Sequence, residues 1–363
     1  MSSDRLATKA AIKRATRQAQ AAMDQLDADT LEQLTALYRQ AVDDIGQAID
    51  QFADSAGSIR LDVLQALLAA TEFRLQALES QRNALLSTGL RSAALLGVEP
   101  FAAAAQILTQ TTTASAQQAV KFVEHFIADD GLQLSDRIWR IDSHARTIVA
   151  DSINSAVIQG YSASRAAQDL LSGGDPVPKD LQAKLNANKA SGIKRSIEQE
   201  LFASEGSPHA NALRVFRTEI NRAHVYAYET AAFSNPDVIG TRFLLSPRHP
   251  RRDICDMHAH ANLYGLGPGV YPKGKNPCPA HPNTLSYTEV VFKDEISPED
   301  RAGRQKPIEW LNEQSADVQT AVLNSRKKQI ALQKGLLPAN AIATPWRDLQ
   351  PRLERQGHDT SQW

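Results

Sequence analysis

Two cysteines in 363 residues are too few for a disulfide framework. The first residues, rich in Arg, Lys and Gln, lack the charged start and apolar run of a secretory signal peptide. A reducing compartment is therefore expected, which disfavours a Cys255 to Cys278 disulfide. Aromatic residues make up only 6% of a chain that is 42% hydrophobic. The bulky rings that fill compact enzyme cores are scarce, and elongated helical architecture fits better. Charge of neither sign is in excess: the net value is -1 and the pI about 6.8, so the whole molecule is no electrostatic match for a polyanion. No apolar run approaches bilayer length, the Ala-rich stretch near Phe101 included, and a soluble protein is expected. Walker, dinucleotide-binding and GxSxG patterns are missing, which leaves nucleotide hydrolysis, redox and acyl-transfer chemistry without support. No repeat of 20 to 50 residues occurs.

What is present first is helical periodicity. Leu31, Leu34, Tyr38, Ala41, Ile45, Ala48 and Phe52 keep the alternating three-four spacing of a coiled-coil seam, with Asp29 or Thr30 as a cap at its start. After Ser55-Ala-Gly-Ser58 the spacing resumes at Leu61, Leu64, Leu68, Thr71, Leu75, Leu78, Arg82 and Leu85, which predicts an antiparallel helical hairpin. A third helix is expected after Pro100, with a break at Thr111 to Thr113 and an end at Asp129-Asp-Gly131. A fourth runs from Leu134 towards Gly160, followed by a short helix over Ser162 to Leu171 and further helix over 179 to 203. The basic N-terminal arm, Arg5, Lys9, Lys13, Arg14 and Arg17, reads as a solvated helix face.

The last long helix follows Pro208 and places Leu213, Phe216, Ile220, Ala223, Ala227 and Ala231 along one side, until Asn235-Pro236 stops it. Arg217, Glu219 and Arg222 read as helix-surface charges rather than a catalytic set. Strands are expected at Thr241 to Ser246 and Leu285 to Phe292, bracketing a Gly/Pro-rich loop. Residues 308 to 337 return to helix, and from Pro338 a polar tail carries Trp346 and Trp363 as docking anchors or local packing. The fold class is thus mainly α, with an elongated N-terminal helical hairpin or bundle and a small α+β, metal-stapled C-terminal domain. Three regions are expected: helices over 1 to 203, a helix with the small β element over 204 to 305, and a helical segment with a tail over 306 to 363.

The chemistry is concentrated in the loop. Cys255-x-x-His258 and Cys278-x-x-His281 place both cysteines three residues ahead of a histidine. On a tight turn, residues i and i+3 aim two side chains at one ion, and a second pair closes a tetrahedron, a donor set that suits zinc. The metal ligands expected are therefore Cys255, His258, Cys278 and His281. His249, Asp253, Asp256 and His260 crowd the same stretch, able to replace His258 or to hydrogen-bond and orient the ligands. Between the pairs, Gly265, Gly267, Pro268, Gly269, Pro272, Gly274 and Pro277 leave little apolar side chain to bury, so the loop gains order from a metal staple. Arg248, Arg251, Arg252, Lys273 and Lys275 surround it. A metal-dependent nuclease or toxin-like hydrolase is the alternative: His260 would be the base, and Arg251, Arg252 or Lys275 would clamp phosphate. A C2H2 finger fits less well, because cysteine and histidine alternate and no recognition helix is available.

The order of short motifs resembles the phage Mu F-like minor head proteins, the head morphogenesis family of tailed bacteriophages. The resemblance rests on Arg217-Thr-Glu-Ile-Asn-Arg-Ala223, Phe243-Leu-Leu-Ser246, Asp253-Ile-Cys255, Pro277-Cys-Pro-Ala-His-Pro282 and Trp310-Leu-Asn-Glu-Gln314, over residues 208 to 337. Members follow the His-Pro with cysteines, whereas Asn283, Thr284 and Leu285 stand here, so the pairing of Cys255 with Cys278 is an independent argument for metal. The resemblance implies a non-enzymatic structural protein of the virion, at the head or portal vertex, made in the host cytoplasm and acting in head assembly, DNA packaging or ejection. Portal or major capsid subunits are the implied partners, with room for non-specific contact with packaged DNA and with no membrane or small-molecule substrate. Structural zinc is the implied cofactor.

Overall fold

The computed structural model describes residues 3–105, 109–128, 130–361 and 363. The chain is mainly helical with a small C-terminal sheet. It divides into two compact units: a sheet unit of Met1–Asp24, Arg91–Lys121 and Ile220–Trp363, and a helical unit of Gln25–Leu90 and Phe122–Glu219. Neither is a consecutive stretch, so boundaries drawn at 203 and 305 do not delimit them. Among the described residues no helix is long and apolar enough to cross a membrane.

In the helical unit, the heptad residues of α1 (Ser3–Gln51) and α2 (Leu64–Ala105) meet as the hairpin their spacing predicts. Leu34, Tyr38, Ala41, Ile45 and Ala48 are buried, and Gly57 takes the left-handed φ of +72° that the connecting turn needs. Ile45, Ile49, Leu67 and Leu75 share one core with Val149 and Ile153 of α4 (Leu134–Ser172) and Ile193 of α6 (Ala190–Glu198). The seam position Arg82 is only 1% exposed and grips Asp142 with both terminal nitrogens, Nη2 to Oδ2 at 3.0 Å. Burial pushes the neighbouring Tyr38 phenol up to about 12.

Several expected breaks are absent. Asp29 and Thr30 lie mid-helix in α1 rather than capping a start, and Thr30 is 3% exposed. α2 continues through Pro100, and Thr111–Thr113 lies within α3 (Thr109–His125). Leu108 and Asp129 lie outside the described residues. α4 is continuous past Gly160, whose hydrogen faces the Asn188 side chain so closely that a Cβ would stand 2.7 Å from it. That glycine answers a close approach and not a helix end.

In the sheet unit, the C-terminal part of α7 (Pro208–Ala232) packs on the sheet through Tyr228. Its hydroxyl accepts from Val290 N at 2.9 Å and shares a hydrogen bond with Thr16 Oγ1 at 3.0 Å. β1 (Val238–Leu244) and β3 (Tyr287–Phe292) are the two expected strands, antiparallel with Thr241 opposite Val290. Inside the bracketed loop lie two unexpected elements, α8 (Ile254–His260) and β2 (Val270–Tyr271), giving the order β2-β1-β3. Lys9 and Lys13 of the basic arm are not simply solvated, since they pair with Asp294 and Glu295. The expected polar tail is also partly structured: in α13 (Trp346–Arg355), Leu349 and Leu353 join a core containing Met257, Trp310 and Leu332. Trp363 packs there against Trp346, ring centroids 5.8 Å apart.

Candidate metal centre

The loop between β1 and β2 folds around α8. Asp253 caps the helix, its Oδ1 accepting from Cys255 N at 2.7 Å, while Asp256 Oδ2 accepts from Asp253 N at 2.9 Å. This reciprocal cap fixes Asp253, Cys255 and Asp256 relative to one another. Gly269, at φ +70°, lets β2 lie against the helix end, where a Cβ would meet Ala259 O at 2.5 Å. The returning segment reaches the helix start through a cis Cys278–Pro279 bond and presents His281.

Two groups of donors result among the described residues. Asp253, Cys255 and His281 form one, and His249, Asp253 and Asp256 the other; within each, one ligand atom per residue lies within 4.8 Å of the others. Tetrahedral zinc with bonds of about 2.0–2.3 Å sets donors roughly 3.3–3.8 Å apart, so closing either group on an ion needs shifts on the order of an ångström. His281 Nε2 already stands 3.2 Å from Asp253 Oδ2.

The tautomer of His281 supports the fit. Its Nδ1–H donates to Pro282 O at 2.9 Å, which leaves Nε2 facing Asp253 and Cys255. Nε2 is buried and stands within ion-pair distance of the Asp253 carboxylate. Without an ion the pair is charged. Asp253 foremost, and then Cys255, hold His281 up at about 10, whereas burial of Asp253 is outweighed by His281 and the Cys255 amide, which bring it down to about 2.

The four residues expected to converge do so only in part. Cys255 and His281 share the first group, but His258 and Cys278 belong to neither. His258 Nδ1 shares a hydrogen bond with Tyr271 Oη at 3.0 Å, and burial lowers its pKa to about 4, which favours the neutral imidazole. Cys278 donates its thiol to Ser286 O at 3.3 Å, and burial raises it well above its ordinary value. Cys255 Sγ lies 3.5 Å from Thr284 Oγ1. Asp253, expected only as a substitute, is the residue common to both groups. Its signal was present in Asp253-Ile-Cys255, because an aspartate two residues ahead of a helical cysteine is a natural N-cap. His260 is exposed, its Nδ1 donating to Asp256 O at 2.7 Å. Asn262 is committed to the loop, bonding Asp300 O and Gly267 N.

This geometry corrects the expectation that the chain carries no chemistry. A closed site of two thiolates and two imidazoles would leave an ion no room for a substrate. The groups found have three donors each and include carboxylates, the pattern that keeps a coordination position open. Two surface hollows in the helical unit, one beside Glu72 and Arg146 and the other beside Ser152 and Ser196, contain none of these donors. No protein-family model, no curated protein and no solved structure matches the chain.

Proposed function

We propose that the sheet unit binds a divalent transition-metal ion, zinc by its donors, through Asp253, Cys255 and His281, and that the chain is a metal-dependent hydrolase of phosphodiesters. One observation carries the reading: sulfur, nitrogen and carboxylate oxygen converge, with no fourth protein donor in the group among the described residues. A bound ion there supplies a Lewis acid and lowers the pKa of water. The chain's own residues do the rest. His260, exposed on the same short helix, is the proton acceptor, and the exposed Arg251, Arg252 and Lys275 fit an anionic backbone. The test is elemental analysis of the purified chain together with DNA and RNA cleavage in zinc, manganese and magnesium. Cys255→Ser and His281→Ala are expected to lose metal and cleavage together, and His260→Ala to lose cleavage alone. Metal content unchanged in Cys255→Ser would overturn the site.

A second reading, a Mu F-like minor head protein bound to portal or coat subunits in the virion, rests on the resemblance of the short motifs. Asn221, within the Arg217–Ala223 motif, donates to Ser286 O at 3.1 Å, just beyond the His281-Pro282 stretch. The first motif is thus joined to the chain just past the second, and not to the second motif itself. Under this reading the ion fastens the loop. Bound zinc without cleavage, with Cys255→Ser loosening the region after residue 240, is the result that favours it.

A further inference from the structure

We infer that the centre has two metal positions bridged by the Asp253 carboxylate, the second formed by His249, Asp253 and Asp256. This rests on the first position being a metal site. The argument begins with the two oxygens of Asp253, which face different neighbours: Oδ2 is 3.2 Å from His281 Nε2, and Oδ1 is 3.9 Å from His249 Nε2. One carboxylate is therefore turned towards both groups, as a bridging ligand must be. Asp256 Oδ2 completes the second set, 3.1 Å from His249 Nε2.

Helix capping is the simpler account of the two aspartates, and it falls short in two respects. Capping occupies one oxygen of each, Asp253 Oδ1 and Asp256 Oδ2, and does not by itself call for His249, which adds a hydrogen bond to the same Asp256 Oδ2 at 3.1 Å. Yet the His249 side chain is only 16% exposed and aims Nε2 at both acids. The charge pattern is also unusual for a structural cluster. Arg251 and Arg252 directly precede Asp253, but among the described residues the ion-pair partners of Asp253 and Asp256 are histidines only. Arginines are left facing solvent while imidazoles, which also bind metals, hold the carboxylates.

The two donor sets differ in softness. The position with Cys255 favours zinc, whereas one imidazole and two carboxylates accept manganese or magnesium as well. Two ions roughly 3.5–4 Å apart suit the attacking and leaving oxygens of a displacement at a phosphoryl group, and the basic surroundings select a phosphate ester as the substrate class. The exposed Arg248, Arg251, Arg252, Lys273 and Lys275 fit that class.

The full-length chain, stripped of metal, is titrated with cobalt(II), and with zinc followed by manganese(II). Stoichiometry is read by elemental analysis after desalting, and the cysteine-bearing position by its thiolate-to-cobalt absorption. Two equivalents are expected, with the thiolate band complete after the first. His249→Ala and the milder His249→Gln should each retain one equivalent and the whole band, with unchanged circular dichroism. Cys255→Ser should abolish the band. One equivalent with a full band in the unaltered chain overturns the second position and leaves the first intact. No bound metal overturns both. Two equivalents persisting in both His249 variants overturns this choice of ligands.

Discussion

Replacing Lys328 with methionine should stabilise the protein at neutral pH and cease to do so in alkali. Lys328 is 4% exposed, and its ammonium donates to one acceptor, the Ile342 carbonyl, without a carboxylate partner among the described residues. Burial pulls its pKa from 10.5 to about 8. Because the folded value lies below the unfolded one, between about pH 8 and 10.5 the unfolded chain keeps a proton that the folded chain has lost, and stability rises with pH. Below about pH 8 the whole cost is present. At about 1.4 kcal/mol per unit the shift corresponds to about 3 kcal/mol at pH 7. Methionine retains the apolar stem but leaves the Ile342 carbonyl unpaired, which costs about 1–2 kcal/mol. The net gain expected is about 1–2 kcal/mol at pH 7, turning into a small loss near pH 10.5. Urea unfolding followed by tryptophan fluorescence reads this region directly, since Trp310 and Trp346 belong to the same cluster. A variant less stable than the parent at pH 7, or a difference that does not change between pH 7 and pH 10.5, would refute the reasoning.

Arg82→Met should destabilise the helical unit by about 3–5 kcal/mol, because Asp142, 8% exposed, is left buried and unpaired. Adding Asp142→Leu should restore most of the loss in the same chemical denaturation assay. Gly97→Ala should lower stability by about 1–3 kcal/mol despite alanine's better helix propensity. Its Cβ would stand 2.5 Å from His224 O, and thermal melting measures the effect. Glu229→Gln should flatten the pH dependence of melting between about pH 4.5 and 7. Burial raises the Glu229 carboxyl to about 7, outweighing the Thr241 hydroxyl that opposes the shift, so its contribution is full below the unfolded value near 4.5 and lost as pH rises through about 7. An unchanged profile in the glutamine variant would count against this assignment.

Much of the helical framework was legible in the sequence because a seam repeats: Leu34, Tyr38, Ala41 and Ile45 declare their common face by spacing alone. Glycine and proline are weaker boundaries than their local propensities imply. Gly160 and Pro100 sit within continuous helices, because packing outweighs the local penalty of roughly 1 to 3 kcal/mol that either residue brings. The glycines of the loop predict irregular structure where α8 lies, because seven residues are too few to display a helical period.

The Cys/His spacing drew attention to the right loop and to two of the donors in its first group, Cys255 and His281. Which donors share an ion was beyond it. His258, three residues from Cys255, turns to Tyr271, while Asp253 meets His281 from a distant part of the loop. Local periodicity and residue type settle what each segment can form, since those depend on neighbours along the chain. The meeting of His249, Asp253, Asp256 and His281 depends on how β1, α8 and the Pro277–Pro282 turn close on one another, and only the folded arrangement decides that, because donor geometry is a matter of ångströms between residues that are remote in sequence.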